Sequence, residues 1–297
     1  MSRPKNILVA TDLSSPARQA ADRAARLAPT TGARWRLVHA LNAGVAAQLQ
    51  QLLGLGSTME ATLVEQTQRE LQALAAELAT ERQVNFETAL VKGGVVDEIV
   101  RQADAMPADL VVLGARGTDF LRRLVLGSTA ERLLRKSTRP MLVVKQRAHE
   151  PYRRVLVALD FSAWSTSLID LARWVAPGAH LVLLSAYEVP FEGKLRYAGV
   201  EDAAIRRYRE RARQTTEEQL LALAAQTGLA AADWTSCLPF ADPSLAIVEH
   251  EQVQACDLIV MGKHGRNMVE DLLLGSVTSH VLAESAGDVL VSTATQG

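Results

Sequence analysis

The chain has 297 residues, 48% of them hydrophobic, and a formal net charge of −1, which suits about two average domains. No apolar stretch approaches the roughly 18 residues that span a bilayer, and the N-terminus has no signal-peptide pattern. We therefore expect a cytosolic protein. Its two cysteines, Cys237 and Cys256, are too few for a zinc finger and are expected to be buried thiols in a reducing compartment.

Short apolar runs alternate with helical periodicity along the first half of the chain. The first run ends at Asp12 and is continuous, as is typical of a strand buried on both faces. Ser14 and Pro16 then supply the start of a helix. Further strands are expected at residues 35–40, 86–91, 109–113 and 140–144, and further helices at 58–82, 95–105 and 128–136. The segment with Gly54 and Gly56 is expected to be a linker.

A polar joint at residues 146–151 precedes a second copy of the same plan. Its strands are expected at 155–160, 181–186, near 234, at 257–261 and at 289–292, with a long helix at 202–226. A loop is expected around Pro190, Gly193 and Gly199. The alternation predicts an α/β fold of two tandem doubly wound, Rossmann-like domains, 1–147 and 148–297. Each domain is a five-stranded parallel sheet of order 3-2-1-4-5 with helices on both faces.

A glycine pattern, G-x2-G-x9-G-S, follows the fourth strand in both halves, and the two copies are offset by a constant 148 residues. Glycine permits positive φ and the close approach of backbone amides to an anion. The third glycine opens a helix whose N-terminus favours negative charge. The candidate phosphate-binding residues are Gly114, Arg116, Gly117, Gly127, Ser128 and Thr129 in the first copy, and Gly262, His264, Gly265, Gly275, Ser276 and Thr278 in the second. For Arg116 and His264, a phosphate contact and a side chain turned to solvent both stay open.

An aspartate ends the first strand of each half. Ligands of doubly wound sheets bind outside the carboxyl ends of the strands, where the strand order reverses, here between strands one and four. Asp12 and Gly114 are expected to face one such crevice, and Asp160 and Gly262 the other. Each carboxylate is placed to accept from ribose hydroxyls or to help hold a divalent cation. The alternative is that the aspartate caps the helix that follows it.

The duplicated glycine pattern and the strand-one aspartates resemble the nucleotide-binding type of the universal stress protein family, over nearly the whole chain. The resemblance implies ATP, one nucleotide per domain, with Mg²⁺ or Mn²⁺ as a candidate companion. It also implies that the backbones of Ala40 and Ala186 meet adenine. One departure is Val277, which stands where the first copy has Thr129.

Catalysis has little support in the sequence. No G-x-S-x-G elbow is present, and no G-x4-G-K-[ST] motif places a lysine on the phosphates. We predict no catalytic residues, no metal-ligand set, and at most slow ATP hydrolysis. The expected role is that of a stress-response or regulatory protein in which ATP acts as a conformational or partner-binding ligand. The alternatives are a slow ATP hydrolase or nucleotidyl transferase, and a nucleotide-free interaction protein.

Two further features bear on partners. The arginine run 206–213 alternates around a long helix with glutamates nearby, which indicates a solvated face and no nucleic-acid partner. The apolar fifth strands lie at sheet edges and are too apolar to stay exposed. The family resemblance implies that the two edges pair within one chain. A homodimer and an unidentified protein partner stay open.

Overall fold

The computed structural model describes residues 5–27, 33–42, 57–115, 126–189, 192–265 and 274–293. The described residues fall into two compact units. The first unit comprises those within Ser2–Pro151 and Asp288–Gly297, and the second comprises those within Tyr152–Glu270 and Leu274–Gly287. The linker predicted around Gly54 and Gly56 lies outside the described residues.

The first unit alternates strands and helices as predicted. Its elements are β1 Asn6–Ala10, α1 Ser15–Leu27, β2 Arg34–Leu41, α2 Ser57–Arg82, β3 Phe86–Lys92, α3 Val95–Ala105, β4 Leu110–Gly114, α4 Ser128–Lys136 and β5 Met141–Val144. The strands are parallel in the order β3-β2-β1-β4-β5. The central strands are buried on both faces, because α1 packs with α2 and α3 packs with α4 over the sheet.

The last strand of the chain, β10 (Asp288–Ser292), belongs to this first unit. It pairs antiparallel with β5, with Val289 opposite Val143 and Val291 opposite Met141. Both strands are fully buried, so the apolar edge of β5 is covered. The predicted pairing of the two fifth strands is confirmed.

The second unit repeats the plan with β6 Arg154–Ala158, α5 Ser165–Val175, β7 His180–Leu184, α6 Glu192–Tyr197, α7 Asp202–Gln226, β8 Trp234–Cys237, α8 Pro243–Val253, β9 Leu258–Gly262 and α9 Ser276–Glu284. Its strands are parallel in the order β8-β7-β6-β9. Among its helices, α5 packs with α7, and α8 packs with α9. The predicted fold class, tandem doubly wound α/β domains, is confirmed.

One aspartate in each repeat ties the start of the first strand to the start of the fourth. The carboxylate of Asp109 accepts hydrogen bonds from the backbone amides of Lys5 and Asn6, at 2.7 and 3.0 Å. Asp257, 148 residues later, accepts from the amide of Arg153 at 2.8 Å. These bonds satisfy amides at the amino end of the sheet and fix the register of the two strands that flank the switch point.

Three local predictions have clear outcomes. The segment predicted as a loop around Gly193 contains the short helix α6, so that prediction is wrong there; glycine disfavours helix only modestly. The arginine run lies on the outer face of α7, where Arg213 is 3.6 Å from Glu210, as a solvated face requires. Both cysteines are buried and unbridged, as predicted.

Within the described residues, no helix is long and apolar enough to cross a membrane.

Candidate functional site

A cleft opens at the carboxyl ends of β6 and β9 in the second unit, at the predicted switch point. Its volume is about 380 Å³, within the range of small-molecule sites. It reaches from Leu168 on α5 to Ile247 on α8. The remaining lining residues are Ala158, Leu159, Asp160, Ser162, Trp164, Leu184, Met261, Gly262, His264, Gly265, Gly275, Ser276, Val277 and Thr278. The second glycine pattern and the strand-one aspartate therefore share one cleft.

Asp160 is held by a tight turn after β6. Its Oδ1 accepts a hydrogen bond from the amide of Ser162 at 3.0 Å, and the intervening Phe161 has a φ of +56°. Left-handed backbone is uncommon for a residue with a side chain. The hydrogen bond from the Ser162 amide across this turn fixes the position of the Asp160 carboxylate. A Cβ added at Gly265 would lie 3.8 Å from Asp160 Oδ2, which places that oxygen beside the glycine loop.

The first repeat has the same turn. The amide of Ser14 donates to Asp12 Oδ1 at 3.0 Å, and Leu13 has a φ of +65°. Ser14 Oγ in turn accepts from the amide of Ala17 at 3.3 Å in the first turn of α1. The helix cap is thus supplied by Ser14, and the aspartate closes the turn that precedes it.

The backbone is closely packed at both ends of the second-repeat glycine loop, which favours glycine there. A Cβ at Gly262 would lie 3.1 Å from the carbonyl oxygen of His264, and a Cβ at Gly275 would lie 3.1 Å from that of Lys263. The amide of Gly275 also donates to the Lys263 carbonyl at 3.1 Å. Backbone approaches this close leave no room for a side chain without a local shift.

The corresponding contact closes the loop of the first repeat, where the amide of Gly127 donates to the carbonyl of Ala115 at 2.8 Å. Gly114 ends β4, and Ser128 and Thr129 are exposed at the start of α4. Arg116 and Gly117 lie outside the described residues. The described part of this loop therefore matches the second repeat.

The predicted hydroxyls of the second repeat have different surroundings. Ser276 begins α9, lines the cleft and is exposed. Thr278 is only 2% exposed, and its hydroxyl donates to the carbonyl of Gly262 at 2.9 Å. Two residues along a helix turn a side chain by about 200°, so the two hydroxyls point apart. Thr278 thus donates to the loop backbone, and its contact with a phosphate stays a prediction.

Each remaining predicted residue lies near the carboxyl edge of the sheet in its own unit. His264 and Gly265 line the cleft. Ala186 follows the end of β7 by two residues, whereas the cleft-lining residue of that strand is Leu184. Ala40 is the second-to-last residue of β2 in the first unit. Among the described residues no group of three or more His, Cys, Asp or Glu side chains could hold a metal ion.

Beside the first-repeat aspartate lies a histidine that the sequence analysis did not select. His39 Nδ1 is 2.9 Å from the carbonyl oxygen of Thr11, next to Asp12 in sequence. Burial lowers the pKa of His39, against the opposing effects of the Thr11 carbonyl and of the Asp12 and Glu70 charges. The strand pairing places Ser185 at this position in the second repeat, so the two sites differ here.

The cleft also contains residues that the motifs did not indicate, above all Trp164, Leu168, Ile247 and Met261. Leu168, Ile247 and Met261 are almost fully buried. Their helical or strand periodicity identifies them as core, and periodicity alone does not show which core residues border a cleft.

Comparison with known proteins decides the family. The model of the universal stress protein family matches the chain twice, at residues 4–145 and 151–292. The chain belongs to the universal stress protein family. The two matches show that it is a tandem member of this family of stress-response proteins.

Two relatives illustrate the similarity. A universal stress protein of Synechocystis is 26% identical over an alignment that covers 96% of this chain and 99% of that protein. One of Methanocaldococcus jannaschii is 31% identical over 48% of this chain and 82% of its own length. Among solved structures, a universal stress protein of Archaeoglobus fulgidus superposes with a TM-score of 0.67 at 19% identity and covers 96% of this chain and 97% of its own. This last similarity concerns the fold.

Proposed function

We propose that this universal stress protein binds ATP, one molecule per repeat, and that the nucleotide acts as a ligand that stabilises one conformation for contact with a partner. The observation that carries the proposal is the cleft that brings Asp160 and the glycine loop together at the switch point. Such crevices bind nucleotides in doubly wound folds.

The chemistry of the cleft suits a nucleotide with several phosphates. The free amides at the start of α9, the backbone of the loop from Gly262 and the Ser276 hydroxyl supply donors for anionic oxygens. The Oδ2 atom of Asp160 faces the loop and can accept from ribose hydroxyls. Mg²⁺ commonly binds through one or two carboxylates plus phosphate oxygens, so a cation would come with the nucleotide and lie near Asp160.

The apolar part of the cleft has room for a base. Leu168, Ile247 and Met261 border it, and such walls exclude water from one side of a ligand.

A ligand that binds only the folded state stabilises that state, by about 2.7 kcal/mol when ATP is present at about 100 times its dissociation constant. A ligand that binds one conformation better also shifts the population toward it.

The test is to purify the full chain, denature it and identify any released nucleotide by chromatography, then to titrate the nucleotide-free protein with Mg-ATP by calorimetry and thermal unfolding. We expect ATP in the extract or a clear rise in melting temperature at millimolar ATP. An empty extract together with an unmoved melting temperature would contradict the proposal. The amount of ADP formed while the protein is incubated with Mg-ATP measures hydrolysis, independently of the binding test.

A pair of glycine variants localises the site. In Gly275→Val the new side chain would crowd the Lys263 carbonyl, since its Cβ alone would lie 3.1 Å away and the loop would have to shift. We expect this variant to lose one of two ATP equivalents. Gly193→Val is the matched control, because a Cβ there meets nothing within 4 Å, and it is expected to keep both.

A further inference from the structure

We infer that Trp164 is a base-recognising residue of the second-repeat site and makes that site discriminate nucleotides from simple polyphosphates. The inference rests on the proposed nucleotide function and concerns the same cleft. Trp164 lies in the turn between Asp160 and α5, directly before Ser165, and it lines the cleft.

The position of Trp164 is set by the backbone. Its carbonyl accepts the first helical hydrogen bond of α5, from the amide of Leu168 at 3.0 Å. Leu168, one turn later, lines the same cleft. The indole and the leucine side chain therefore form one wall that continues from the aspartate turn into the apolar part of the cleft. A substitution of the indole leaves the backbone bond in place.

The lining of the cleft offers two kinds of chemistry. The glycine loop and Ser276 suit phosphate oxygens. The other walls are the aliphatic side chains of Leu168 and Ile247 with the indole of Trp164, and they offer no charge to a phosphate. With phosphates at the loop, the base-bearing part of the ligand is left for the apolar walls. A flat indole presents a π-face on which any base can stack.

The first repeat has no indole at the matching position. The residue 148 positions before Trp164 is Pro16, the second residue of α1. Proline offers a small aliphatic ring with no extended π-face. The two sites should therefore differ in how much of their affinity for ATP comes from the base, although their glycine patterns are alike.

The test compares ATP with inorganic tripolyphosphate in the full chain. Both ligands are titrated by calorimetry into Trp164→Ala, Trp164→Phe and the chain with Trp164 intact, all in a Gly127→Val background that we expect to weaken binding at the first-repeat loop. We expect Trp164→Ala to weaken ATP binding about ten-fold and to leave tripolyphosphate binding within about two-fold. Phenylalanine, which keeps a stacking ring, should recover most of the loss.

A second measurement does not depend on that background. In the otherwise unmodified chain, ATP should change the tryptophan emission, and Trp164→Phe should abolish this change while the Trp174→Phe control retains it. Equal losses for ATP and tripolyphosphate in Trp164→Ala would show general damage to the loop and overturn the inference, as would unchanged ATP affinity. If the parent binds ATP but the emission does not respond, the inference fails while the proposed function stands. If the unmodified chain binds neither ATP nor tripolyphosphate, the inference and the proposed function both fail.

Discussion

The guanidinium of Arg23 lies 3.2 Å from the carboxylate of Asp288, and the two side chains are 6% and 0% exposed. Asp288 is the first residue of β10, and its other oxygen accepts from the amides of Lys145 and Gln146 at 2.8 and 3.0 Å. The pair joins α1 to the last strand of the chain at the point where that strand reaches β5. The position equivalent to Asp288 in the first repeat is Pro140, so this ion pair belongs to one repeat alone.

We expect Arg23→Leu to lower the free energy of unfolding by about 3–5 kcal/mol, because it leaves the buried Asp288 carboxylate without its cation. The double variant Arg23→Leu with Asp288→Asn should recover part of the loss. Urea unfolding followed by circular dichroism measures both. The control is Arg69→Leu, which removes an exposed pair with Glu65 and should cost less than about 1 kcal/mol. Equal losses in the two single variants would contradict a special role for the buried pair.

Asp160→Asn tests the role of the carboxylate in the site. Asparagine keeps the oxygen that accepts from the Ser162 amide, so the turn should persist, while the charge that would attract ribose hydroxyls and a cation is lost. We predict that ATP affinity of the second site falls roughly ten-fold with little change in melting temperature of the free protein. Calorimetric titration gives the affinity. Unchanged affinity would mean that the aspartate serves the turn only, and Asp12→Asn asks the same question of the first repeat.

Thr278→Val removes the hydroxyl that donates to the carbonyls of Gly262 and Lys263. Because valine has nearly the same shape, we expect a loss of about 1–2 kcal/mol in unfolding free energy from the lost hydrogen bond to the Gly262 carbonyl, together with weaker ATP binding. Thr278→Ser should restore most of both.

The matched control for that variant is Thr216→Val on α7. The Thr216 hydroxyl donates to the carbonyl of Ala212 at 2.8 Å, within a helix where such bonds add little. We expect a change below about 0.5 kcal/mol. A similar cost at both positions would show that the Thr278 hydroxyl has no particular function in the loop.

The thiols respond to pH in a predictable direction. Burial raises the pKa of Cys256 from 9.0 to about 12 and raises that of Cys237. The thiolate is the reactive form, so both cysteines should react slowly with a disulfide reagent at about pH 8 in the folded protein and rapidly in guanidinium. Fast labelling of Cys256 in the native chain would contradict its burial.

The same shift has a consequence for stability. The neutral thiol is favoured in the folded state, so its contribution is complete below pH 9.0 and is lost as pH rises from there toward about 12. Cys256→Ser raises the pKa of the side chain far beyond this window. We expect the parent chain to lose more stability than the serine variant between those two pH values, as measured by urea unfolding.

Much of the architecture follows from local patterns. The continuous apolar run before Asp12 and the helix start at Ser14 both match the observed β1 and α1, because burial on both faces and capping act within a few residues. The short helix α6 was missed, because Gly193 disfavours a helix only weakly and tertiary packing can override such a propensity.

The candidate site was predictable in its backbone and less so in its side chains. The second-repeat glycines lie at close backbone approaches, such as that of Gly275 to the Lys263 carbonyl, which favour glycine, so the sequence reveals them. Thr278 matched a hydroxyl pattern but faces the loop carbonyls, because its direction depends on how α9 is rotated about its axis.

The sequence by itself determined the internal repeat, the alternation of strands and helices and the position of the glycine loop after the fourth strand. These properties depend on residue spacing and on glycine's conformational freedom, which act locally. Only the tertiary structure decided which side chains share the cleft, as Trp164 does with Ile247, and how Asp288 is buried against Arg23. Those contacts join residues far apart in the chain, and their geometry exists only once helices have packed on the sheet.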